Sequence, residues 1–324
     1  MEEIKLKSYN FEKKLKEFVS KPLFDEKIIL NKNPNYPKIS IVTPSYNQAD
    51  FLERTMLSVL NQNYPNLEYI IIDGGSTDGS VEIIKKYEKY LSYWVSEKDK
   101  GQADAINRGF QKSTGSIAGW QNSDDVYAPN VISKTVKYLQ RYPSVDLVFS
   151  DFCFINEHEE IIQEVRLRPF DRREYLYVSP NITNQTAFWR RELVSKVGGF
   201  NVKYKYAMDF DFFVRASEKG CFKYVKGFSG YLRVHAKSKT VTTGEDKQWL
   251  QEYAAIRERY GIRMDLNIPW NKQYRLAKWY FRLRRIFYYV SEGNMNYILK
   301  KLCCHRLVQQ WNREDVLHMS GRQK

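Results

Sequence analysis

Two adjacent carboxylates, Asp124 and Asp125, close the run Trp120-Gln121-Asn122-Ser123-Asp124-Asp125. The residues before them, Gly115-Ser116-Ile117-Ala118-Gly119, read as a short buried strand entered from a turn. A strand that ends in paired acids must offer them something positive, because a carboxylate is rarely buried without a partner. A lysine, a cluster of N–H groups or a metal would serve. Oxygen ligands on a short turn suit Mg²⁺ or Mn²⁺, which keep waters and share phosphate oxygens with a substrate. The competing reading makes Asp125 a cap for the helix that begins near Pro129. Further along, Asp209 and Asp211 open a helix after a Tyr- and Met-rich approach. Asp209 suits a base that takes a proton from an attacking hydroxyl; its alternative is a helix cap, a role for which Asp211 competes. His235 stands in the basic, hydroxyl-bearing loop 233–240, which suits a diphosphate; a packed histidine is the alternative.

These residues need a frame, and the pattern around them supplies one. Strand character at Lys38–Val42, Leu67–Ile72, Tyr93–Ser96 and Ile117 alternates with helices over about Ala49–Asn61, Ser80–Leu91 and Gln102–Gln111. Leu52, Met56, Val59 and Leu60 mark the inward face of the first helix, and Ser76 or Asp78 is the expected N-cap of the second. A helix over Pro129–Tyr142 and a strand at Asp146–Ser150 continue the alternation. The order predicts an open, mostly parallel sheet with helices on both faces, which binds ligands beyond the carboxyl ends of its strands. Asp73, Asp99 and Asp124 each fall in the loop after a different strand, at that edge. Asp99 also reads as a turn residue before Gly101. No G-x-G-x-x-G follows the first strand, so a dinucleotide fingerprint is absent. Strand signals recur near 152–155, 161–165, 222–225 and 230–235, with helices near 190–197, 207–219 and 248–260. Residues 1–37 read as an N-terminal extension, one helix over about 8–20 and a linker broken by Pro22, Pro34 and Pro37.

The chain has 324 residues, 43% hydrophobic and 28% charged, with a net charge of +14. That excess calls for an anionic partner: nucleic acid, a nucleotide or an anionic membrane. No finger, RNP or basic-zipper pattern is present, so nucleic acid is not expected. Cys153, Cys221, Cys303 and Cys304 show no metal-ligand spacing and read as reduced cytosolic thiols. The charged residues 1–10 do not read as a secretory signal, and no run is long and apolar enough to span a bilayer. Residues 270–306 alternate aromatic and basic types. Within them Leu276, Tyr280, Leu283 and Phe287 share one helical face, and Arg275, Lys278, Arg282 and Arg285 follow a similar period, offset from it. Such a helix either lies in the headgroups of an anionic membrane or packs its aromatic face on the preceding domain.

The runs Thr43-Pro44-Ser45-Tyr46-Asn47, Asp73-Gly74-Gly75-Ser76-Thr77-Asp78-Gly79 and Asn122-Ser123-Asp124-Asp125, in this order, resemble those of a family 2 glycosyltransferase of the GT-A fold, the kind found in bacterial polysaccharide and glycan synthesis. The segment from Asp99 to Gly109, Gly198-Gly199-Phe200, Met208-Asp209-Phe210-Asp211 and Arg233-Val234-His235 fall in the family's order too. The resemblance covers about residues 36–260 and implies a single sheet holding a nucleoside-diphosphate sugar over its strand ends. Residue by residue, it places Thr43, Pro44 and Tyr46 around the base and Asp73 on the base edge. Gly75, Ser76, Asp99, Asn122 and Ser123 then line the nucleotide sugar, and Asp104 and Arg108 meet ribose or diphosphate. Asp124 matches the metal-holding acid of the D-x-D motif, His235 a residue near metal or diphosphate, and Asp209 the catalytic base. Three positions depart from the family: Asn122 for the first acid of D-x-D, Gly74 for a second Asp after Asp73, and Met208 for a Glu before the base. The expected enzyme is an inverting transferase of a hexosyl or related sugar, assisted by Mg²⁺ or Mn²⁺. It acts on a hydroxyl of a glycan or lipid-linked acceptor, in the cytoplasm and peripherally on the inner face of the cell membrane. The alternative is a non-catalytic relative that binds nucleotide sugars. The expected domains are the 1–37 extension, a 38–260 GT-A domain and a 261–324 basic aromatic helical region.

Overall fold

The computed structural model describes residues 2–178, 182–239, 248–262, 272–295 and 297–298. The chain divides into two units, Met1–Leu167 with Ile182–Arg233, and Arg168–Asn181 with Val234–Lys324.

The first unit holds one nine-stranded sheet. Its strands are β1 (Ile39–Ser45), β2 (Leu67–Asp73), β3 (Tyr93–Ser96), β4 (Ile117–Trp120), β5 (Val126–Tyr127), β6 (Leu147–Ile155), β7 (Ile161–Val165), β8 (Phe188–Arg190) and β9 (Phe222–Arg233). Their spatial order is β3-β2-β1-β4-β8-β6-β9-β5, with β7 on β6. Every residue of β1 and β2 is buried, as befits parallel strands covered on both faces. Its helices are α1 (Glu2–Ser20), α2 (Glu26–Asn31), α3 (Ala49–Leu60), α4 (Ser80–Lys86), α5 (Gln102–Lys112), α6 (Val131–Arg141), α8 (Arg191–Val197) and α9 (Met208–Ala216). The second unit contributes α7 (Arg172–Tyr177), α10 (Gln248–Glu258) and α11 (Lys272–Ser291).

The fold is the mixed α/β sheet the sequence predicts, with one refinement. Parallel pairing runs through β3-β2-β1-β4 and recurs between β6 and β9. The second half reverses: β8 is antiparallel to β4 and β6, β5 to β9, and β7 to β6. A parallel pair needs a long crossover, whereas β6 passes to β7 through a tight turn in which Asn156 N–H donates to Glu160 O and Glu160 N–H to Asn156 Oδ1, both at 3.0 Å. The two strand signals near 150 belong to one strand, β6, and those at 222–225 and 230–235 to another, β9, whose pairing shifts register around Asp151.

Hydrophobic burial fixes the layers. Leu52, Met56, Val59 and Leu60 of α3 pack with Ile39, Ile41, Tyr69 and Ile71 on one face of the sheet. Neighbouring strand residues point to opposite faces, so Val42 meets α5 on the other side. There a Cβ at Gly109 would lie 2.3 Å from Val42 Cγ1, which lets α5 sit close against β1. Helix α1 begins earlier than its apolar pattern suggests. Its Leu15, Phe18 and Val19 pack with Val126, Cys153, Ile155 and Tyr231. Asn61 after α3 holds its end, donating to the carbonyls of Phe18 (2.5 Å) and Lys21 (3.0 Å) and accepting from Leu23 N–H (2.7 Å). The expected linker contains α2, capped by Asp25, which accepts from Lys27 N–H at 2.8 Å.

In the second unit Asp171 caps α7 by accepting from the N–H groups of Arg173 and Glu174. The buried Glu174 carboxylate is paired with Arg168 and, at 2.9 Å, with Arg285 of α11. Arg284 of the same helix meets Asp171 at 2.5 Å. The sequence reading over 263–271 and 299–306, with Cys303 and Cys304, lies outside the described residues.

Candidate functional site

Sheet register brings the chemically interesting segments to one edge. Ser45 pairs with Asp73 and Asp73 with Ser96, while Val42 pairs with Trp120. The chain therefore leaves β1, β2, β3 and β4 at the same carboxyl end, carrying Tyr46, Asp73, Asp99 and Asn122–Asp125 with it.

Asp73 is fully buried and organises the second of these loops. Its Oδ2 accepts from Gly75 N–H (3.1 Å), Ser76 N–H (2.8 Å) and Ser96 Oγ (2.6 Å), and its Oδ1 from Ser76 Oγ (2.6 Å). Ser76 Oγ in turn accepts from Asn47 N–H, and Asn47 Oδ1 accepts from Thr77 N–H. Asp78 accepts from Ala49 N–H, at the start of α3, and from Ser80 N–H, at the start of α4. One carboxylate thus serves two helix starts, but the N-cap position of α4 is Gly79, so neither Ser76 nor Asp78 holds it. Thr43 and Pro44 are buried in β1, with Thr43 Oγ1 3.1 Å from Tyr69 OH. Tyr46 is 62% exposed on the rim.

The rim also explains Gly74. A Cβ there would lie 2.9 Å from Asp99 Oδ2 and 3.2 Å from the Tyr46 ring. An Asp at 74 would need the Asp99 and Tyr46 side chains to give way and would set a second negative charge beside Asp99. Gly75 has φ +82°, a conformation that glycine adopts at little cost. Asp99 Oδ1 accepts from Gly101 N–H (2.8 Å) ahead of α5, and Asp104 Oδ2 from Lys100 N–H (3.1 Å). Arg108, one turn beyond Asp104, is paired with Glu97.

The Asn122–Asp125 loop shows what the second departure does. Trp120 Nε1 and Gln102 Nε2 both donate to Asn122 Oδ1 at 2.8 Å. An indole nitrogen only donates, so these contacts orient the amide and turn its Nδ2 the other way. Nδ2 then donates to Asp125 Oδ2 (3.1 Å) and Asn184 Oδ1 (3.3 Å). Asp125 is not a helix cap: Asn130 holds that position for α6. It is instead a buried carboxyl that also accepts from Gln185 Nε2 (2.7 Å) and Arg233 N–H (2.8 Å). Burial first, and the charge of Asp124 second, push it well above the usual carboxylate range. Asp124 remains half-buried at the loop's tip, with Ser123 buried beside it.

Arg233, at the end of β9, anchors this loop and was not singled out as a site residue by sequence reasoning. Its Nε donates to Asp124 O (2.8 Å), and its NH1 to Asn156 O (3.0 Å) and Glu159 Oε1 (2.8 Å). Glu159 also pairs with Arg54 of α3 at 3.2 Å. The loop is thereby tied to the β6–β7 turn and to α3.

Helix α9 places its two acids differently. Ala207 is the N-cap, so Asp209 lies inside the first turn. Asp211 is buried and accepts from Arg215 Nε (2.8 Å) and NH2 (2.6 Å). Arg215 NH2 also reaches Gly199 O at 2.8 Å. Asp211 therefore holds the helix to the Gly198-Gly199 turn, while Asp209 is half-buried and its Oδ1 accepts from Phe210 N–H at 2.7 Å. Helix α5 links this region to the Asp124 loop. Its Gln102 holds Asn122, while its Asn107 donates to Phe200 O and accepts from Phe200 N–H, both at 2.8 Å. The Trp120 ring bridges the same gap, edge-on to Phe200 at 4.8 Å and parallel to Phe213 at 6.4 Å. Asn107 lies in the quoted Asp99–Gly109 segment, so its spacing was visible; its partner 93 residues away was not.

His235 belongs to the second unit, buried, its carbonyl accepting from Ser238 N–H at 2.9 Å. Among the described residues no group of three or more His, Cys, Asp or Glu forms a metal cage. A half-buried carboxylate at a strand end, backed by an amide and not by a second exposed acid, fits a hard cation that takes one or two protein oxygens and fills its shell with water and phosphate.

Comparison with known proteins is consistent with this arrangement. The family model described as "Glycosyl transferase family 2" matches residues 40–198. An uncharacterized glycosyltransferase of Mycobacterium tuberculosis is 32% identical over 186 residues, 56% of this chain and 69% of that protein. The mannosyltransferase PcManGT of Pyrobaculum calidifontis, solved with GDP-Man and Mn²⁺, superposes with a TM-score of 0.54 at 21% identity, over 84% of this chain and 76% of that one. S. aureus TarS 1–349, solved with UDP-GlcNAc, gives a TM-score of 0.54 at 16% identity, over 68% of this chain and just under two thirds, 66%, of that one.

Proposed function

Because the chain belongs to glycosyl transferase family 2 and is a glycosyltransferase, we propose that it moves a sugar from a nucleoside-diphosphate donor to a hydroxyl of a glycan or lipid-linked acceptor, with inversion and with help from a divalent cation. The observation that carries this reading is the frame built on α5. One helix braces the Asp124 loop through Gln102 and the Asp209 helix through Asn107 and Phe200. Two carboxylates with different tasks are thus held on one rigid support, as positioning of reacting groups requires.

In this reading the Tyr46 ring packs on the base, and the loop organised by Asp73, Gly75 and Ser76 receives the nucleoside. Asp99, Asp104, Arg108, Asn122 and Ser123 line the ribose, diphosphate and sugar. Asp124 would hold Mg²⁺ or Mn²⁺, and His235 is proposed beside metal or diphosphate on the family resemblance alone. The bound cation supplies neutralisation of the departing diphosphate. Asp209 accepts the proton of the acceptor hydroxyl as that oxygen attacks the anomeric carbon. Direct displacement needs one such base, whereas a retaining route needs a carboxylate nucleophile as well. The two solved relatives were captured with nucleotide sugars, which supports the donor class. Cys153 and Cys221 are unpaired thiols, in keeping with a reduced, cytoplasmic setting.

The test is mass spectrometry of the purified protein offered a panel of nucleotide sugars with Mn²⁺, followed by the same panel in EDTA. Slow hydrolysis of one donor, lost in EDTA and in Asp124→Ala, is the expected result. Binding of a donor with neither hydrolysis nor transfer to any acceptor would make the chain a nucleotide-sugar-binding relative.

A further inference from the structure

Helix α11 is the one place where the described chain leaves a long apolar face uncovered. Leu276, Trp279, Tyr280, Leu283, Ile286 and Phe287 are all exposed, with Leu276 at 63%, Trp279 at 65% and Phe287 at 77%. At 3.6 residues per turn these positions and Val290 fall within an arc of roughly 120°, a stripe about 21 Å long. The opposite side of the helix is the one that packs: Phe281 and Tyr289 are buried, and Arg285 is paired with Glu174. Within its own unit the helix docks by that other side, and the Leu276-Tyr280-Leu283-Phe287 face is exposed.

Charge identifies what the stripe would meet. The helix has no acidic residue, and Lys272, Arg275, Lys278, Arg282, Arg284 and Arg285 are its basic ones. Arg282 and Arg284 flank the stripe on its two sides in the helical projection, both exposed, Arg284 while paired with Asp171. A Trp, a Tyr and aliphatic residues between flanking arginines is the pattern of a helix lying in a lipid headgroup layer. The rings sit at the acyl boundary and the arginines reach back to phosphate. The helix is too charged to cross a bilayer, and no helix among the described residues is long and apolar enough to do so. A second copy docked through this face would set one acid-free basic helix against another, which argues against self-association through it.

We propose that α11 is an in-plane docking surface for an anionic lipid bilayer. The proposal is independent of the transfer reaction, since it concerns vesicle binding and not turnover. Each basic residue at such a surface and each aromatic ring at its boundary adds to binding, so the interaction is reversible and salt-sensitive.

The experiment is co-sedimentation of the full chain with phosphatidylcholine vesicles, with and without phosphatidylglycerol, at low and high salt. Sedimentation velocity on the same samples reports self-association. The full chain is expected to pellet with the anionic vesicles at low salt and to be released by salt. Arg282→Glu should lower the partition coefficient by roughly tenfold or more. Trp279→Ser with Phe287→Ser should lower it by roughly thirtyfold or more, with an unchanged circular dichroism spectrum because both side chains are exposed. A full chain that stays in the supernatant with anionic vesicles at low salt overturns the proposal. So does a Trp279→Ser/Phe287→Ser protein that binds as well as its parent, or a concentration-dependent dimer that this double change dissociates.

Discussion

Asn122→Asp restores the acid that the D-x-D motif expects, and a motif reading would choose it to strengthen the metal site. The structure predicts the opposite. The Asn122 amide donates to the buried Asp125 carboxylate at 3.1 Å and to Asn184 Oδ1 at 3.3 Å, and a carboxylate can do neither. A hydrogen bond to a charged group contributes about 1.5–3 kcal/mol and a neutral one about 0.5–1.5 kcal/mol, so the loss sums to roughly 2–4 kcal/mol. At about 2–4 °C per kcal/mol for a domain of this size, the melting temperature should fall by roughly 4–16 °C. The deficit should also depend on pH. Asp125 is already held above the usual carboxylate range by burial and by Asp124, and a third acid raises it further. A carboxyl whose folded value is raised supports stability at low pH and loses that support as pH rises through the raised value. The variant's deficit should therefore be smallest in acid and grow toward about pH 8. Urea unfolding of both proteins at about pH 5 and pH 8, with a Mn²⁺ titration of donor hydrolysis, measures both effects. Equal stability at the two pH values, or tighter Mn²⁺ dependence without loss of stability, would refute the assignment of the amide as the loop's lock.

The other departure allows a parallel test: Gly74→Asp should weaken donor binding about tenfold or more through overpacking against Asp99 and Tyr46, as isothermal calorimetry would show, and undiminished affinity would mean the rim yields. Asp209→Asn should lower turnover by about 10²–10⁴ while donor affinity stays unchanged, a split that steady-state kinetics with calorimetry resolves; loss of both together would make Asp209 structural. Arg233→Met leaves the buried Glu159 with Arg54 as its other cation and removes the donor to Asp124 O. It should destabilise by about 3–5 kcal/mol in urea and abolish donor hydrolysis, and a stable, active variant would show that the loop stands without this anchor.

Much of the site could be found in the sequence because its signals are local. The apolar runs at 39–42 and 67–72 are buried strands, and parallel strands must release their loops at one edge. That alone places Asp73, Asp99 and Asp124 at the same end. The inward face of α3 and the offset apolar face of α11 were likewise written in residue spacing. Long-range partners were what sequence could not supply. That Asp211 is tied to the Gly198-Gly199 turn depends on Arg215 and the Gly199 carbonyl, partners that meet only in the folded chain. Why residue 122 is an amide and residue 74 has no side chain depends on Asp125, Trp120, Tyr46 and Asp99, groups that meet only once the sheet has formed. The sequence likewise marked an amphipathic helix at 272–291 without saying which side it buries. Period sets only that two faces exist. Which one packs within its unit goes with the acids Asp171 and Glu174, which pair with Arg284 and Arg285 while the aromatic stripe stays exposed.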